Sequence, residues 1–145
     1  MGSKSKAALI LASVISSVTA LAHMSCIILG TSCYKAQLAP PEMIQSSIDG
    51  TLLAPLVTLF ISALFLTCAL FAVSGAGLIK KLPLQNIALI VIAVLCLLRG
   101  MATIPLSYIF PEMVSTFSIL AGFVWFISGC LFFYGYYSVR RVSAI

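Results

Sequence analysis

The stretch LLAPLVTLFISALFLTCALFAVSGAGLI, residues 52–79, contains no Asp, Glu, Lys, Arg or His over 28 residues. About 18–20 mainly apolar residues are enough for a helix to cross the ~30 Å hydrocarbon core of a bilayer. Three further windows, residues 7–30, 84–104 and 114–137, pass the same test. Backbone amides in lipid must be satisfied within their own segment, and these windows lack the alternation of barrel strands. We therefore predict four transmembrane helices.

The composition of the whole chain agrees with that interpretation. Of its 145 residues, 62% are apolar and 8% are charged, whereas soluble domains average about 45–50% apolar and ~25% charged residues. A soluble domain of this size could not bury so much apolar surface, because small domains keep a large exposed fraction. We predict an integral membrane protein in contact with the lipid bilayer and not with nucleic acid. A cytosolic enzyme, a nucleic-acid-binding module and a disordered tail are excluded.

The first apolar window shares one feature with secretory signal peptides. Basic residues precede it, and the triplet Ala20-Leu21-Ala22 imitates a cleavage site. Apolar residues continue beyond this triplet to residue 30. We therefore expect the window to remain in the protein as an uncleaved transmembrane helix.

Charge is distributed unevenly between the segments that connect the windows. The N-terminus, the connection at residues 80–83 and the C-terminus carry six basic residues and no acid. The connections at residues 31–51 and 105–113 hold all three acids and one lysine. Basic residues beside short loops stay in the cytoplasm. We therefore predict cytoplasmic N- and C-termini and two outer connections, in a plasma membrane of the bacterial inner-membrane type.

Short connections between long helices favour one particular architecture. We expect an all-α integral membrane protein with four transmembrane helices in an up-down-up-down antiparallel bundle, forming a single domain over residues 1–145. The longest connection, residues 31–51, has room for a short interfacial helix near residues 43–48 but not for an independent fold.

Small residues recur at helical spacing and predict close contacts between helices. Lipid is as apolar as leucine, so helices in a membrane associate through close packing of small residues. Gly122 and Gly129 belong to such a stripe in the fourth window, and Cys96 and Gly100 are four residues apart in the third. These residues would pack within the chain or, alternatively, form the face of a homo-oligomer.

Arg99 is the most informative polar residue, because it lies five residues before the outer end of the third window. An arginine at the bilayer centre costs ~2.5–3.5 kcal/mol on insertion scales, so it is expected to find polar partners. His23 lies at a similar depth, and Asp49 and Glu112 are candidate acidic partners. One hypothesis joins these four residues in an outward-facing polar pocket for an anion, a quinone head group or a lipid phosphate. The alternative is structural: Arg99 extends to the interface or forms one ion pair, and His23 packs within the protein.

Two of the five cysteines invite a redox interpretation. The chain has no Cys-x-x-Cys, and in a continuous helix Cys26 and Cys33 would lie ~10 Å apart, beyond the bridging limit of about 7 Å. Unwinding near Gly30 would bring them together. The sequence nevertheless favours two free thiols.

The remaining cysteines are expected to be buried as small apolar residues; they are Cys68, Cys96 and Cys130. A metal site needs clustered His, Cys or acidic residues, and a membrane haem commonly uses two histidines. The chain has a single histidine. We therefore expect no metal site and no cofactor.

Three classes of function remain. The leading hypothesis is a non-enzymatic interaction protein, such as an accessory subunit or an immunity or protective protein acting on another membrane component. Its partner would be a membrane protein or a second copy of the chain. The competing hypothesis is a transporter or ligand-binding membrane protein with an outward-facing pocket at Arg99 and His23 for a small anion or an acidic amphiphile. A membrane redox enzyme requires Cys26 and Cys33 to pair.

Overall fold

The computed structural model describes residues 2–109, 111 and 114–143, with side chains as far as residue 141. Every regular element in that part of the chain is a helix. The six helices, numbered in chain order, are α1 (Ser3–Leu29), α2 (Thr31–Ala36), α3 (Pro41–Ile48), α4 (Leu53–Gly75), α5 (Gln85–Ile109) and α6 (Thr116–Ser143).

Four of these helices, α1, α4, α5 and α6, are long and apolar enough to cross a membrane. They contain 27, 23, 25 and 28 residues, and about 20 residues already span the hydrocarbon core. This confirms the prediction of four long apolar helices. Many of their apolar side chains are exposed, as far as 88% for Ile28, which is the surface expected of helices surrounded by lipid.

Helix α5 extends beyond the window that we predict to cross the membrane. Proline lacks the backbone N–H and commonly ends a helix, but α5 continues through Pro105 to Ile109. The Ser107 hydroxyl donates to the Thr103 carbonyl oxygen at 2.7 Å within this last turn. The helix therefore continues five residues beyond the predicted membrane window, which ends at residue 104.

Contacts divide the chain into two compact units. The first comprises Met1–Ile15 and Cys68–Ile145, and the second comprises Ser16–Thr67. Helices α1 and α4 each contribute residues to both units.

The second unit contains the end of α1, both short helices and the start of α4. Helix α3 confirms the short helix expected near residues 43–48, and it begins at Pro41, where a missing N–H costs no hydrogen bond. Ser46 Oγ accepts a hydrogen bond from the Ala54 N–H at 2.9 Å, which ties the start of α4 to α3. A buried hydrophobic cluster in this unit consists of Cys26, Tyr34, Met43 and Ala54.

The core of the first unit is built largely from small side chains. One buried hydrophobic cluster of this unit has eight members: Leu9, Ala12, Ala72, Ala76, Leu89, Ala93, Phe132 and Val139. Half of them are alanines, which let helix backbones approach closely. A Cβ atom at Gly135 would overlap the Leu9 side chain, so α1 and α6 are in direct contact here.

Helices α5 and α6 meet through glycines that the small-residue pattern singles out. A Cβ atom at Gly100 would lie 2.7 Å from the Phe126 backbone nitrogen, and one at Gly129 would lie 2.7 Å from Leu97 Cγ. A Cβ atom at Gly122 would overlap the Thr103 side chain. Later residues of α5 contact earlier residues of α6, so the two helices run in opposite directions. The structure thus uses these glycines for packing within the chain.

The substitution Gly100→Ala tests this contact between α5 and α6. The added methyl group would lie 2.7 Å from a backbone atom of Phe126, which cannot rotate away as a side chain can. Overpacking of this kind costs ~1–3 kcal/mol, against a gain in helix propensity of at most ~1 kcal/mol. We expect the thermal unfolding midpoint in detergent to fall by about 2–4 °C for each kcal/mol lost.

Gly2→Ala is the matched control, because a Cβ atom added there has no neighbour within 4 Å. Its midpoint should equal that of the unmodified protein. A midpoint for Gly100→Ala that is unchanged or higher would show that the two backbones are not in contact at this position.

Candidate functional site

The structure places the four predicted site residues in different surroundings. Arg99 is exposed on α5, in the first unit. Asp49 is exposed at the end of α3, where Gln45 Nε2 donates to its carboxylate at 2.8 Å. His23 is half-buried in α1 and belongs, like Asp49, to the second unit. Glu112 lies outside the described residues, so a pocket shared by all four stays a prediction.

A disulfide bond joins Cys26 and Cys33. Helix α1 ends at Leu29, and Gly30 adopts a φ of 70° and a ψ of −151°, a backbone conformation that residues with a Cβ rarely adopt. This turn leaves the two cysteine Cα atoms 5.0 Å apart. The expectation of two free thiols is therefore wrong, because it assumed a helix that continues past Gly30.

The same turn brings the end of α2 beside the last turns of α1. Gln37 Nε2 donates to the Ala22 carbonyl oxygen at 2.8 Å, and Gln37 Oε1 lies 2.6 Å from His23 Nδ1. An amide oxygen only accepts hydrogen bonds, so His23 Nδ1 carries a proton and donates it. On another side the Phe65 ring lies 5.4 Å from the imidazole, centre to centre. The His23 ring is thus held in one orientation by α2 and α4.

A second pair of polar side chains connects α2 with α4. The Tyr34 hydroxyl lies 3.0 Å from Thr58 Oγ1, and Thr58 Oγ1 donates to the Ala54 carbonyl oxygen at 2.7 Å. Both side chains are buried, with Tyr34 only 4% exposed. A buried hydroxyl without a partner is costly. This pair satisfies both hydroxyls and sets the position of α2 against α4.

The chain that leaves α2 folds back over these polar groups. Leu38 has a φ of 54°, and the Ala39 N–H donates to the Tyr34 carbonyl oxygen at 2.9 Å. A positive φ at a residue other than glycine is uncommon and reverses the chain sharply. The reversal carries residues 38–40 across the end of α2.

A cavity of about 170 Å³ lies among these elements, entirely within the second unit. Its polar lining is His23, Gln37, Tyr34 and Thr58. Its other lining residues are Cys26, Leu38, Ala39, Pro40, Met43 and Ile61. A mainly apolar hollow with a few converging polar groups is the usual form of a small-molecule site. This cavity is therefore the candidate functional site.

Sequence reasoning found one of the four polar lining residues. His23 stands out as the single histidine of the chain. Gln37, Tyr34 and Thr58 carry no sequence signal, because their importance comes from contacts between α2 and two other helices. Asp49 is not among the residues that line the cavity.

The three other cysteines are free, and their surroundings differ. Cys96 is buried, Cys68 is half-buried and Cys130 is exposed. The prediction of burial is confirmed for Cys96 and wrong for Cys130, because an apolar residue of a membrane helix can face lipid as well as the interior. Within the described residues, no three His, Cys, Asp or Glu side chains are grouped so that they could hold a metal ion.

Compared with protein-family models, curated proteins and solved structures, the chain matches none of them.

The disulfide can be tested by counting thiols in the denatured protein. Of the five cysteines, three are free in the structure, so a maleimide reagent should add three labels without reductant and five after reduction. Cys33→Ser should give four labels without reductant, because Cys26 is released. Closing a loop of this length stabilises a protein by ~2.5 kcal/mol through chain entropy. The variant should therefore also unfold at lower temperature.

Cys130→Ser is the control for this experiment, since Cys130 is exposed and free. It should lower the count by one with and without reductant and leave the unfolding midpoint unchanged. Five labels on the unreduced, unmodified protein would contradict the disulfide.

Proposed function

We propose that this chain is a multi-pass membrane protein that binds a small ligand in the cavity beside His23. The observation that carries the proposal is the His23–Gln37 hydrogen bond of 2.6 Å, which holds an imidazole in the wall of a mainly apolar cavity. Preorganised polar groups of this kind fix the orientation of a ligand while apolar contacts supply much of its affinity. Of the four residues in the pocket predicted from the sequence, the proposed site retains His23. Its other polar residues are Gln37, Tyr34 and Thr58.

We place the four long helices in the membrane as an up-down-up-down antiparallel bundle, with both termini in the cytoplasm of a bacterial cell. The distribution of basic residues supports this orientation. The disulfide gives independent support, because such bonds persist in oxidising compartments and are rare in the cytoplasm. Cys33 belongs to the connection at residues 31–51, which then faces the outside. The cavity lies toward the same side.

The size of the cavity limits the ligand. An engineered cavity of ~150 Å³ in another protein accommodates one benzene molecule, whereas sites for drug-sized ligands occupy about 300–1,000 Å³. At about 170 Å³, this cavity holds a single ring or a head group of similar volume. Any remaining part of a larger ligand would extend beyond the cavity.

The two hypotheses that the sequence ranked highest stay predictions. A non-enzymatic interaction protein would use exposed apolar helix surfaces, but a helix in lipid needs the same surfaces for solvation. A site for a small anion at Arg99 and His23 would need the Arg99 guanidinium beside the imidazole. The lining residues of the present cavity include neither arginine nor lysine.

The Cys26–Cys33 bond supports one second candidate, a thiol–disulfide exchange function. An external dithiol would attack Cys33 Sγ, because Cys33 is half-exposed whereas Cys26 is 1% exposed. The dithiol would leave as a disulfide, and both cysteines would become thiols. Equilibration with glutathione buffers tests this function, since structural disulfides have potentials below about −300 mV and exchanging ones have higher potentials.

Ligand binding can be tested with two matched photoreactive probes, a diazirine-bearing phenol and its methyl ether. In the full-length protein in lipid nanodiscs, at least one probe should label residues 23–61 in a saturable manner. Ala39→Phe should abolish this labelling, because Ala39 lines the cavity and the larger ring would occupy it.

Ala36→Phe is the matched control, since Ala36 lies on α2 but is exposed and does not line the cavity. It should leave labelling unchanged. If neither probe gives saturable labelling, or if labelling survives in Ala39→Phe, the cavity is not a ligand site.

A further inference from the structure

The hydrogen-bond directions around the cavity are determined by atoms that can act in only one way. The Gln37 amide nitrogen has two N–H groups: it donates to the Ala22 carbonyl oxygen at 2.8 Å and to Cys33 Sγ at 3.6 Å. The Gln37 amide oxygen is therefore the atom that faces His23. Since that oxygen only accepts, Nδ1 is the protonated nitrogen of the imidazole.

The role of the opposite ring nitrogen depends on the charge of the ring, because the contact with Gln37 requires a proton on Nδ1 in the neutral and the cationic imidazole alike. In a neutral imidazole one nitrogen donates and the other accepts, so His23 Nε2 is an acceptor. No hydrogen bond within the described residues uses it. The neutral ring of His23, which lines the cavity, therefore carries one lone pair and no proton on Nε2.

The two buried hydroxyls lead to the same result. Thr58 donates its single hydroxyl proton to the Ala54 carbonyl oxygen, at 2.7 Å. At the 3.0 Å contact between Thr58 and Tyr34, the tyrosine must therefore be the donor. Both hydroxyl protons are then engaged inside the protein, and only oxygen lone pairs remain.

From these three steps we infer that the ligand is a hydrogen-bond donor, namely a hydroxyl compound of the alcohol or phenol type on an apolar body of about one ring. The inference rests on the proposed function and names its ligand class. A ketone, ether or carboxylate would bring its own lone pairs against those of His23, Tyr34 and Thr58. A carboxylate would in addition find no lysine or arginine among the lining residues.

The pair of photoreactive probes separates this inference from the proposed function. The phenol donates a hydrogen bond, whereas its methyl ether has nearly the same shape and only accepts. A benzoate of the same scaffold serves as the anionic competitor. Concentrations for half-maximal labelling of residues 23–61 are compared at pH 8.5, where histidines are commonly neutral, after correction for partitioning of each probe into the lipid.

We expect the phenol to bind about tenfold more tightly than the methyl ether, the difference that one hydrogen bond supplies, and the benzoate to bind most weakly. His23→Phe preserves a ring beside Phe65 but removes the acceptor nitrogen, so the preference for the phenol should fall to about threefold or less. Tyr34→Phe, which removes one hydroxyl acceptor, is the second variant if His23→Phe does not fold.

Equal binding of the phenol and the methyl ether, or tighter binding of the ether or the benzoate, would overturn the inference while leaving a ligand site in place. Absence of saturable labelling by every probe would overturn the ligand site and the inference together.

Discussion

The chain reversal at Gly30 is the constraint on which the second unit depends. With a φ of 70°, this residue ends α1 and lets α2 start in a different direction. Each later contact of α2 requires that change: the Cys26–Cys33 bond, the donation from Gln37 to Ala22, and the contact between Tyr34 and Thr58. A side chain at position 30 would disfavour the conformation, and α2 would then continue away from α4. The disulfide holds the reversal closed after glycine has permitted it.

The polar side chains of this unit form a connected set rather than isolated pairs. Gln37 contacts both His23 and Cys33, so the end of α2 links the imidazole to the disulfide. Tyr34 lies on the same short helix and links it to α4 through Thr58. In surroundings of low polarity, hydrogen bonds are strong and unpaired groups are costly. The positions of the polar atoms that face the cavity are therefore determined by the same bonds that hold the helices together.

Sequence reasoning succeeded where the signal is local. The four long helices follow from runs of apolar residues, and the length of the connection at residues 31–51 allowed the short helix α3. It failed where the structure depends on a single backbone angle or on a contact with a residue distant in the sequence. Nothing in the spacing of Cys26 and Cys33 shows whether the intervening Gly30 is helical. The exposed Cys130 illustrates a second limit, because lipid-facing and interior positions of a membrane helix are both apolar and their patterns are hard to distinguish.

The candidate site was accessible from the sequence only through its single histidine. Gln37, Tyr34 and Thr58 are ordinary polar residues until the turn at Gly30 is known. Arg99 is the more prominent residue in the sequence, because a charged side chain within an apolar window is rare. In the structure Arg99 is exposed on α5, whereas His23 lines the cavity of the second unit. A polar residue within an apolar segment is thus easy to identify in the sequence, but the sequence does not show which of these residues lie together in the structure.

Water is the competitor that any ligand of this cavity must displace, and the lining distinguishes between them. At ~30 Å³ per molecule, about six waters would fill a volume of about 170 Å³. Their protons could reach the lone pairs of His23, Tyr34 and Thr58, but aliphatic side chains elsewhere in the lining, such as those of Leu38 and Ile61, offer no hydrogen bonds. Several waters would therefore lose bonds that bulk water provides. The hydroxyl group of an alcohol or phenol would donate a hydrogen bond to one of these lone pairs. Its apolar ring would displace the waters that lie against the apolar side chains and lack hydrogen bonds there.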